Sequence, residues 1–392
     1  MANKKLFFKK ESLPKISVST VEDIWMERII HFLGVTLGTQ SRTPRSITRN
    51  LFSASSIIVH ITFFYSFAAV LIFGSSFSPK RTLSDLMSSS FSIILWYHIQ
   101  FQSSKIREFW SHMAIIPKDY MKFSKKERFI FKMAVLLSIC FPFTFAVPAI
   151  SFIIQNRDKE YASFWLLRYH LHGYPTLKPM LVFICMIVYF SAKFFLPSLS
   201  ATIYAVYSHK LSKAIRVQNE MLKNAIFTDV FPVNIKFYNS ILHGCKLFND
   251  CFKVTMFLLL FAYCSALYTG LGIALRQNIH PNEVQIIEFI FIIAGCVFSV
   301  VMLLVFASSI PTATSETRRM ARERYQHIVL ENKPISLKNI MLLKTLEEVE
   351  IFHLTAWDIL CVDKSLILSL FGTALSFCIL LMQLKRVDLE SI

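Results

Sequence analysis

The sequence predicts an all-α membrane protein with seven transmembrane helices, a cytosolic amino terminus and long helical extensions on the cytosolic side. Three observations predict it. Apolar residues fill 54% of the 392 positions, and a mean hydropathy of +0.50 leaves more apolar side chain than a soluble core would hold. Several apolar runs exceed the roughly 18 residues that carry a helix across a bilayer. Basic residues collect in alternate stretches between those runs, the pattern that sets orientation.

The first twenty residues are polar and basic, with Lys4, Lys5, Lys9, Lys10 and Lys15. They hold no apolar h-region, so no cleavable signal peptide is expected. The first span covers 51–75. The second, 85–104, is the most polar, carrying Ser88, Ser89, Ser90, Ser92, His98, Gln100 and Gln102. It crosses only if a wet or protein-packed face holds those groups. The third span, 131–154, contains Pro142 and Pro148, and the fourth, 180–207, contains Lys193 and Pro197. Prolines there kink a helix and turn freed backbone groups toward the interior. The fifth and sixth spans cover 252–275 and 284–310, and the last covers 364–384.

Orientation follows from the Lys and Arg count. The amino-terminal segment has nine, the 105–132 linker eight, and the 210–253 and 318–344 linkers seven each. That puts 31 on one side against nine on the other, with Lys193 and Lys364 in or beside spans. The amino terminus is therefore expected inside and the carboxyl terminus outside. The net charge of +17 would suit nucleic acid, but the basic residues lie between apolar spans and fit anionic inner-leaflet lipid instead.

The inner linkers 210–250 and 316–350 carry apolar positions at helical spacing, with breakers at Pro232 and Pro334, and extend spans four to six below the membrane. The outer loop 155–178, with Trp165, Tyr169, Tyr174 and Pro175, reads as an interfacial cap. The chain divides into a cytosolic segment 1–50, spans one to six over 51–310, a cytosolic linker 311–363, the last span 364–385 and a short outer tail 386–392.

The eight cysteines lie at 140, 185, 245, 251, 264, 296, 361 and 378. None falls in an outer loop and none shows paired metal-ligand spacing, so they read as small apolar packers. No metal or cofactor is expected. Gly-rich phosphate loops, His-Glu-x-x-His and Gly-x-Ser-x-Gly are absent, which argues against an enzyme.

The last span carries the most chemistry. Ser365, Ser369, Gly372, Ser376, Leu380 and Gln383 follow steps of four, three, four, four and three, a single narrow stripe with Thr373 on its flank. The other faces are Leu, Ile, Phe and Met, and Leu366 reads as lipid-facing. Two readings compete. Small residues let helices pack closely, although Gln383 then needs a buried partner. Alternatively, copies of the stripe line a water-filled pore, Leu380 or Leu384 forms a constriction that gates by dewetting, and Gln383 makes a polar ring beside it.

Thr355-Ala356-Trp357-Asp358-Ile359-Leu360-Cys361-Val362-Asp363, followed by Ser376-Phe377, five apolar residues and Gln383-Leu384, resembles the end of an arthropod gustatory receptor. That family's signature is Thr-Tyr, five apolar residues and Gln-Phe in the last span. The likeness extends over the whole chain in span count, inner amino terminus, long inner linkers and near-absent outer tail. Gln383-Leu384-Lys385 is also similar to the related odorant co-receptors. The resemblance implies a tetrameric, ligand-gated, non-selective cation channel in the plasma membrane, its pore lined by the last span of each subunit. By position, Gln383 and Leu384 match the Gln-Phe pair at the gate, and Ser376 and Phe377 match Thr-Tyr. Three of those four positions depart from the pattern. Phe377 lacks the Tyr hydroxyl, and Leu384 keeps an apolar plug of different shape.

The resemblance also implies a ligand pocket in the outer half of the bundle, among spans two to six. Candidates there are Ser92, Trp96, Phe141, Phe145, Lys193 and Phe194. The implied partners are a small-molecule tastant, like subunits in a homotetramer or heteromer, permeant cations and membrane lipid. Asp358 and Asp363, beside Glu347, Glu348 and Glu350, either help hold cations at the inner mouth or pair with Lys364. An odorant receptor or co-receptor of the same superfamily is the nearest alternative. A G-protein-coupled receptor needs an outer amino terminus and the Asp-Arg-Tyr and Asn-Pro-x-x-Tyr motifs, which are absent. A secondary transporter is expected to show internal repeats and Gly- or Pro-broken half-helices, and Gly occurs only nine times.

Overall fold

Each of the seven predicted segments falls on a helix. The structure is a computed structural model and describes residues 21–33, 35, 45–73, 79–156, 166, 177–226, 228, 230–276, 283–331 and 336–390. Trp165, Tyr169, Tyr174, Pro175 and Pro334 lie outside the described residues. Among these residues, five helices are long and apolar enough to cross a membrane: Ser46–Ala69, Lys125–Pro148, Leu177–Ala225, Phe231–Leu267 and Ile290–Leu330. A shorter apolar stretch covers Ser365–Ser376. The chain is a multi-pass membrane protein with an all-α fold.

A first helix, α1 (Val21–Phe32), precedes the spans and was not foreseen as an element. It buries Met26, Ile29 and Ile30, and Phe32 packs on Phe195 at 5.2 Å between ring centroids. Next come α2 (Arg45–Phe73) and α3 (Pro79–Phe101), packed side by side. The polar groups of α3 account for the pairing. Ser89 shares a 2.7 Å hydrogen bond with Ser66, Tyr97 meets His60 Nε2 at 2.8 Å, and the Trp96 indole donates to Ser55 Oγ at 3.3 Å. Ser89 of the predicted polar set is thus held by protein, while His98 Nε2 and Gln100 Nε2 are buried without a hydrogen-bond partner among the described residues.

After a break at Gln102, α4 (Ser103–Met113) buries Ile106, Phe109 and Met113. Ser124 and Glu127 then open α5 (Lys125–Asn156) with reciprocal hydrogen bonds of 3.2 and 2.6 Å, a capping box that satisfies two amides. The fourth span is one rod in three parts, α6 (Leu177–Phe190), a π-turn at Ser191–Phe195 and α7 (Leu196–Ala225). Pro197 explains the π-turn. It has no amide to give the Lys193 carbonyl, and the widened turn relieves its ring of that clash.

The fifth span is the longest helix, α8 (Phe231–Arg276, 46 residues). The sixth, α9 (Glu283–Ala307), meets α10 (Ser309–Glu331) across a one-residue interruption at Ser308. Both helices extend well past membrane length, as the spacing of their apolar residues predicts. Almost every side of α7 is buried, because α8, α9, α10 and α5 surround it. Along it Tyr204 meets Phe248 and Phe252, and both of those rings also meet Phe109, an aromatic core joining α4, α7 and α8. There follow α11 (Leu337–Glu348), a hairpin of β1 (Thr355–Ala356) and β2 (Leu360–Cys361), and α12 (Ser365–Glu390). The last helix thus runs into the segment expected as a short tail.

Candidate functional site

Three places hold the described site residues: the outward face of α12, a ring-lined junction around the π-turn and the α2–α3 contact at Ser92 and Trp96.

The last helix begins where Asp363 caps it. Its Oδ1 accepts from the Leu366 amide at 3.1 Å and from Ser365 Oγ at 2.6 Å. These bonds, the Ser365 hydroxyl first, hold the Asp363 carboxyl below its usual range. An ionised carboxylate here also suits the positive end of the helix dipole. The structure shows this cap where the sequence suggested a pair between Asp363 and Lys364.

One face of α12 packs on α8 and α9 through Leu366, Ile367, Leu370 and Ala374. This corrects the lipid-facing reading of Leu366. The wettable stripe points the other way. Ser365, Ser369, Gly372, Thr373, Ser376, Leu380 and Gln383 are all exposed on the single chain, and a Cβ built on Gly372 meets nothing within 4 Å. Ser376 and Thr373 return their hydroxyls to Gly372 and Leu370 carbonyls at 2.9 Å. Among the described residues the stripe therefore serves no packing within the chain. The side chains of Phe377 and Leu384 lie outside those described.

The hairpin ahead of α12 is clasped to α8 by residues that the sequence reading passed over. Asn249 exchanges hydrogen bonds with Thr355, accepting its amide at 2.8 Å and donating to Oγ1 at 3.1 Å. The Lys253 carbonyl accepts the Trp357 amide at 2.9 Å, its ammonium pairs with Asp358, and Phe257 meets the Trp357 ring at 5.1 Å. Asn249, Lys253 and Phe257 stand four residues apart, one line along α8. That spacing was the available signal. Trp357 and Asp358 both take positive φ, 52° and 58°, at the hairpin tip. Glu347 is spent on α10, accepting from Arg322 Nε at 3.0 Å.

Around the π-turn the structure brings some pocket candidates together. Phe141 meets Phe194 at 5.1 Å and Phe291 at 6.0 Å, and Phe194 stacks on Phe190 at 5.9 Å. A Cβ at Gly295 would lie 3.0 Å from the Phe141 ring, so glycine makes room for it. Lys193 donates to the Tyr189 hydroxyl at 3.1 Å and lies 5.2 Å from that ring's centroid, and Tyr189 in turn faces Tyr65. Tyr65 and Tyr189 are additions that the sequence reading missed. Trp96 belongs to another group of contacts, with Phe52, His60 and Tyr97 on α2 and α3. Ser92 is buried one turn from it on the same helix. The Phe145 side chain lies outside those described. Among the described residues no three His, Cys, Asp or Glu side chains cluster with the geometry of a metal site.

No protein-family model matches the chain, and no curated protein matches it in sequence. Its fold is that of solved insect olfactory receptors. Receptor OR5 of Machilis hrabei in complex with eugenol superposes with a TM-score of 0.69 at 13% identity, covering 93% of this chain and 98% of that one. The same receptor without the ligand gives 0.67, again at 13% identity, covering 93% and 97%.

Proposed function

We propose that this chain, which has the fold of the insect olfactory receptors, is a gustatory-type chemosensory receptor subunit. In this reading four subunits form a ligand-gated, non-selective cation channel in the plasma membrane, with the amino terminus cytosolic and seven spans per subunit. One observation carries the reading: the small, polar stripe of α12 is exposed along its length while the opposite face packs on α8 and α9. A wettable line that its own chain leaves uncovered needs copies of itself around water. Leu380, Gln383 and Leu384 stand near the far end of that line and form the constriction. The hairpin clasp ties the base of the pore helix to α8. Trp357, Ile359 and Leu360 on that hairpin are exposed apolar side chains, suited to contact between subunits.

Ligand binding is assigned to the junction of Phe141, Phe194, Lys193 and Tyr189. It is lined by rings and polar tips, the chemistry of a small, largely apolar ligand with one acceptor group. An odorant-type subunit is the second reading, favoured by the likeness to an olfactory receptor solved with eugenol. Calcium imaging of cells expressing the chain, against sugars, amino acids, plant alkaloids and volatile phenols, tests both. Responses to soluble tastants support the first, and responses to phenols alone support the second. No response to any class at verified surface expression, with the chain alone and beside an olfactory co-receptor, counts against both.

A further inference from the structure

At its amino-terminal end α5 sets lysines into the surface it turns outward. Lys125, Phe129, Lys132 and Leu136 follow steps of four, three and four, so they share one face, and all four are exposed. The line continues apolar and exposed through Phe143 and Val147. Lys132 thus interrupts a row of side chains that otherwise suits hydrocarbon. Beside it runs a second exposed line, Lys126, Ile130 and Leu137, and exposed Lys122 stands just before the helix.

The nearest carboxylate does not neutralise these lysines. Glu127 turns inward, accepting from Lys213 Nζ at 2.9 Å and meeting His209 Nε2 at 2.9 Å. Asp119 lies in the preceding turn, and among the described residues no carboxylate pairs with Lys122, Lys125, Lys126 or Lys132. The charges stand at two depths. Seven residues separate Lys125 from Lys132, about 10 Å along the axis. Lys132, between Phe129 and Leu136, stands nearer the apolar run of the face, where a long side chain can reach back to the headgroups. Lys122, Lys125 and Lys126 stand at or before the first turn of α5, farther from that run.

We infer that this end of α5 binds a lipid whose headgroup carries phosphomonoesters beyond the glycerol phosphodiester, the phosphoinositide class. A phosphodiester engages Lys132, and phosphates on the far side of the headgroup engage Lys122, Lys125 and Lys126. A singly charged headgroup satisfies one level and leaves the other bare. The inference rests on the cytosolic placement of this end proposed above, but not on channel activity.

Native mass spectrometry of the detergent-solubilised chain tests it directly, with dioctanoyl phosphatidylinositol bisphosphate and dioctanoyl phosphatidylserine as probes. The bisphosphate is expected to bind at tenfold lower concentration or better. The triple variant Lys125→Ala, Lys126→Ala, Lys132→Ala is expected to lose that preference, while Lys338→Ala, Lys344→Ala on α11 keeps it. Lys132→Gln, which removes only one charge, is expected to weaken bisphosphate binding several-fold, and serves if the triple variant misfolds. Equal binding of the two lipids by the wild type overturns the site, leaving general attraction of basic loops for anionic membrane. Undiminished preference in a folded triple variant, or in Lys132→Gln, overturns it as well. Because no current is measured, a channel that fails to conduct leaves this result standing.

Discussion

Lys253 on α8 and Asp358 at the hairpin tip, 105 residues apart in sequence, form an ion pair that ties the base of the last helix to the longest helix of the fold. The pair is exposed, so its own contribution is small. The backbone around it matters more. Asp358 has φ of 58°, a conformation that Asp and Asn tolerate and β-branched residues resist. Asp358→Asn is expected to lower the melting temperature in detergent slightly, and Asp358→Val by several-fold more. Fluorescence-detected size-exclusion after heating reads the difference, and equal shifts refute the backbone account.

The cap on α12 has a pH signature. Hydrogen bonds from Ser365 and the Leu366 amide lower the Asp363 carboxyl relative to the unfolded chain. A depressed carboxyl contributes stability above its unfolded value and loses it as pH falls toward the folded one. Asp363→Ala is expected to cost about 1 kcal/mol at pH 7. Wild type and variant should begin to converge in thermal stability near the ordinary Asp value of about 4, and do so fully only below the lower folded-state value. Asp363→Asn should retain most of the cap at either pH.

At the proposed constriction, Leu384→Ser is expected to give leak current without ligand, and Gln383→Glu to alter relative cation permeability. A loss of about 1 kcal/mol of closed-state stability per subunit shifts open probability strongly, because 1.4 kcal/mol is tenfold in a population ratio. Leu136→Ala on the outward face of α5 is the control. Leu366→Ala is not, since it removes packing against the core and should lower stability. Whole-cell recording at matched surface expression decides. Wild-type currents and permeability in both gate variants would remove the stripe from the pore.

Gly295→Ala probes the ligand junction. The added methyl meets the Phe141 ring at 3.0 Å and must displace it toward Phe194 by a few tenths of an ångström. Half-maximal ligand concentration is expected to shift several-fold with surface level and ion permeability unchanged. An unaltered dose response for every active ligand argues that binding occurs elsewhere.

The helices were legible because long apolar runs between basic stretches admit few other structures. The polar residues of span two were legible as a requirement that the structure meets in part: Ser66 partners Ser89, while His98 Nε2 and Gln100 Nε2 are buried without a partner among the described residues. Pro197 was marked as a kink, but the π-turn form depends on how neighbouring helices absorb the freed carbonyl. The hairpin was invisible for a different reason. Strands of two residues have no period to read, and their hold on α8 pairs residues about a hundred positions apart. Asp363 is a lesson in competing local uses: a carboxylate just before a helix caps it rather than pairing with the adjacent lysine. Leu366 shows that composition alone does not say which apolar face of a helix meets protein.

The length of α8 has a mechanical consequence. It is an unbroken rod of 46 residues, gripped by the hairpin near its middle at Asn249 and Lys253. From Lys253 to Arg276 is roughly 35 Å at 1.5 Å per residue. Pivoting about that grip by ~5° would swing the Arg276 end by ~3 Å and carry the opposite arm, toward Phe231, the other way by a similar distance. The residues that mark its middle are also the mounting of α12, so a displacement of the rod there would carry the base of the last helix with it.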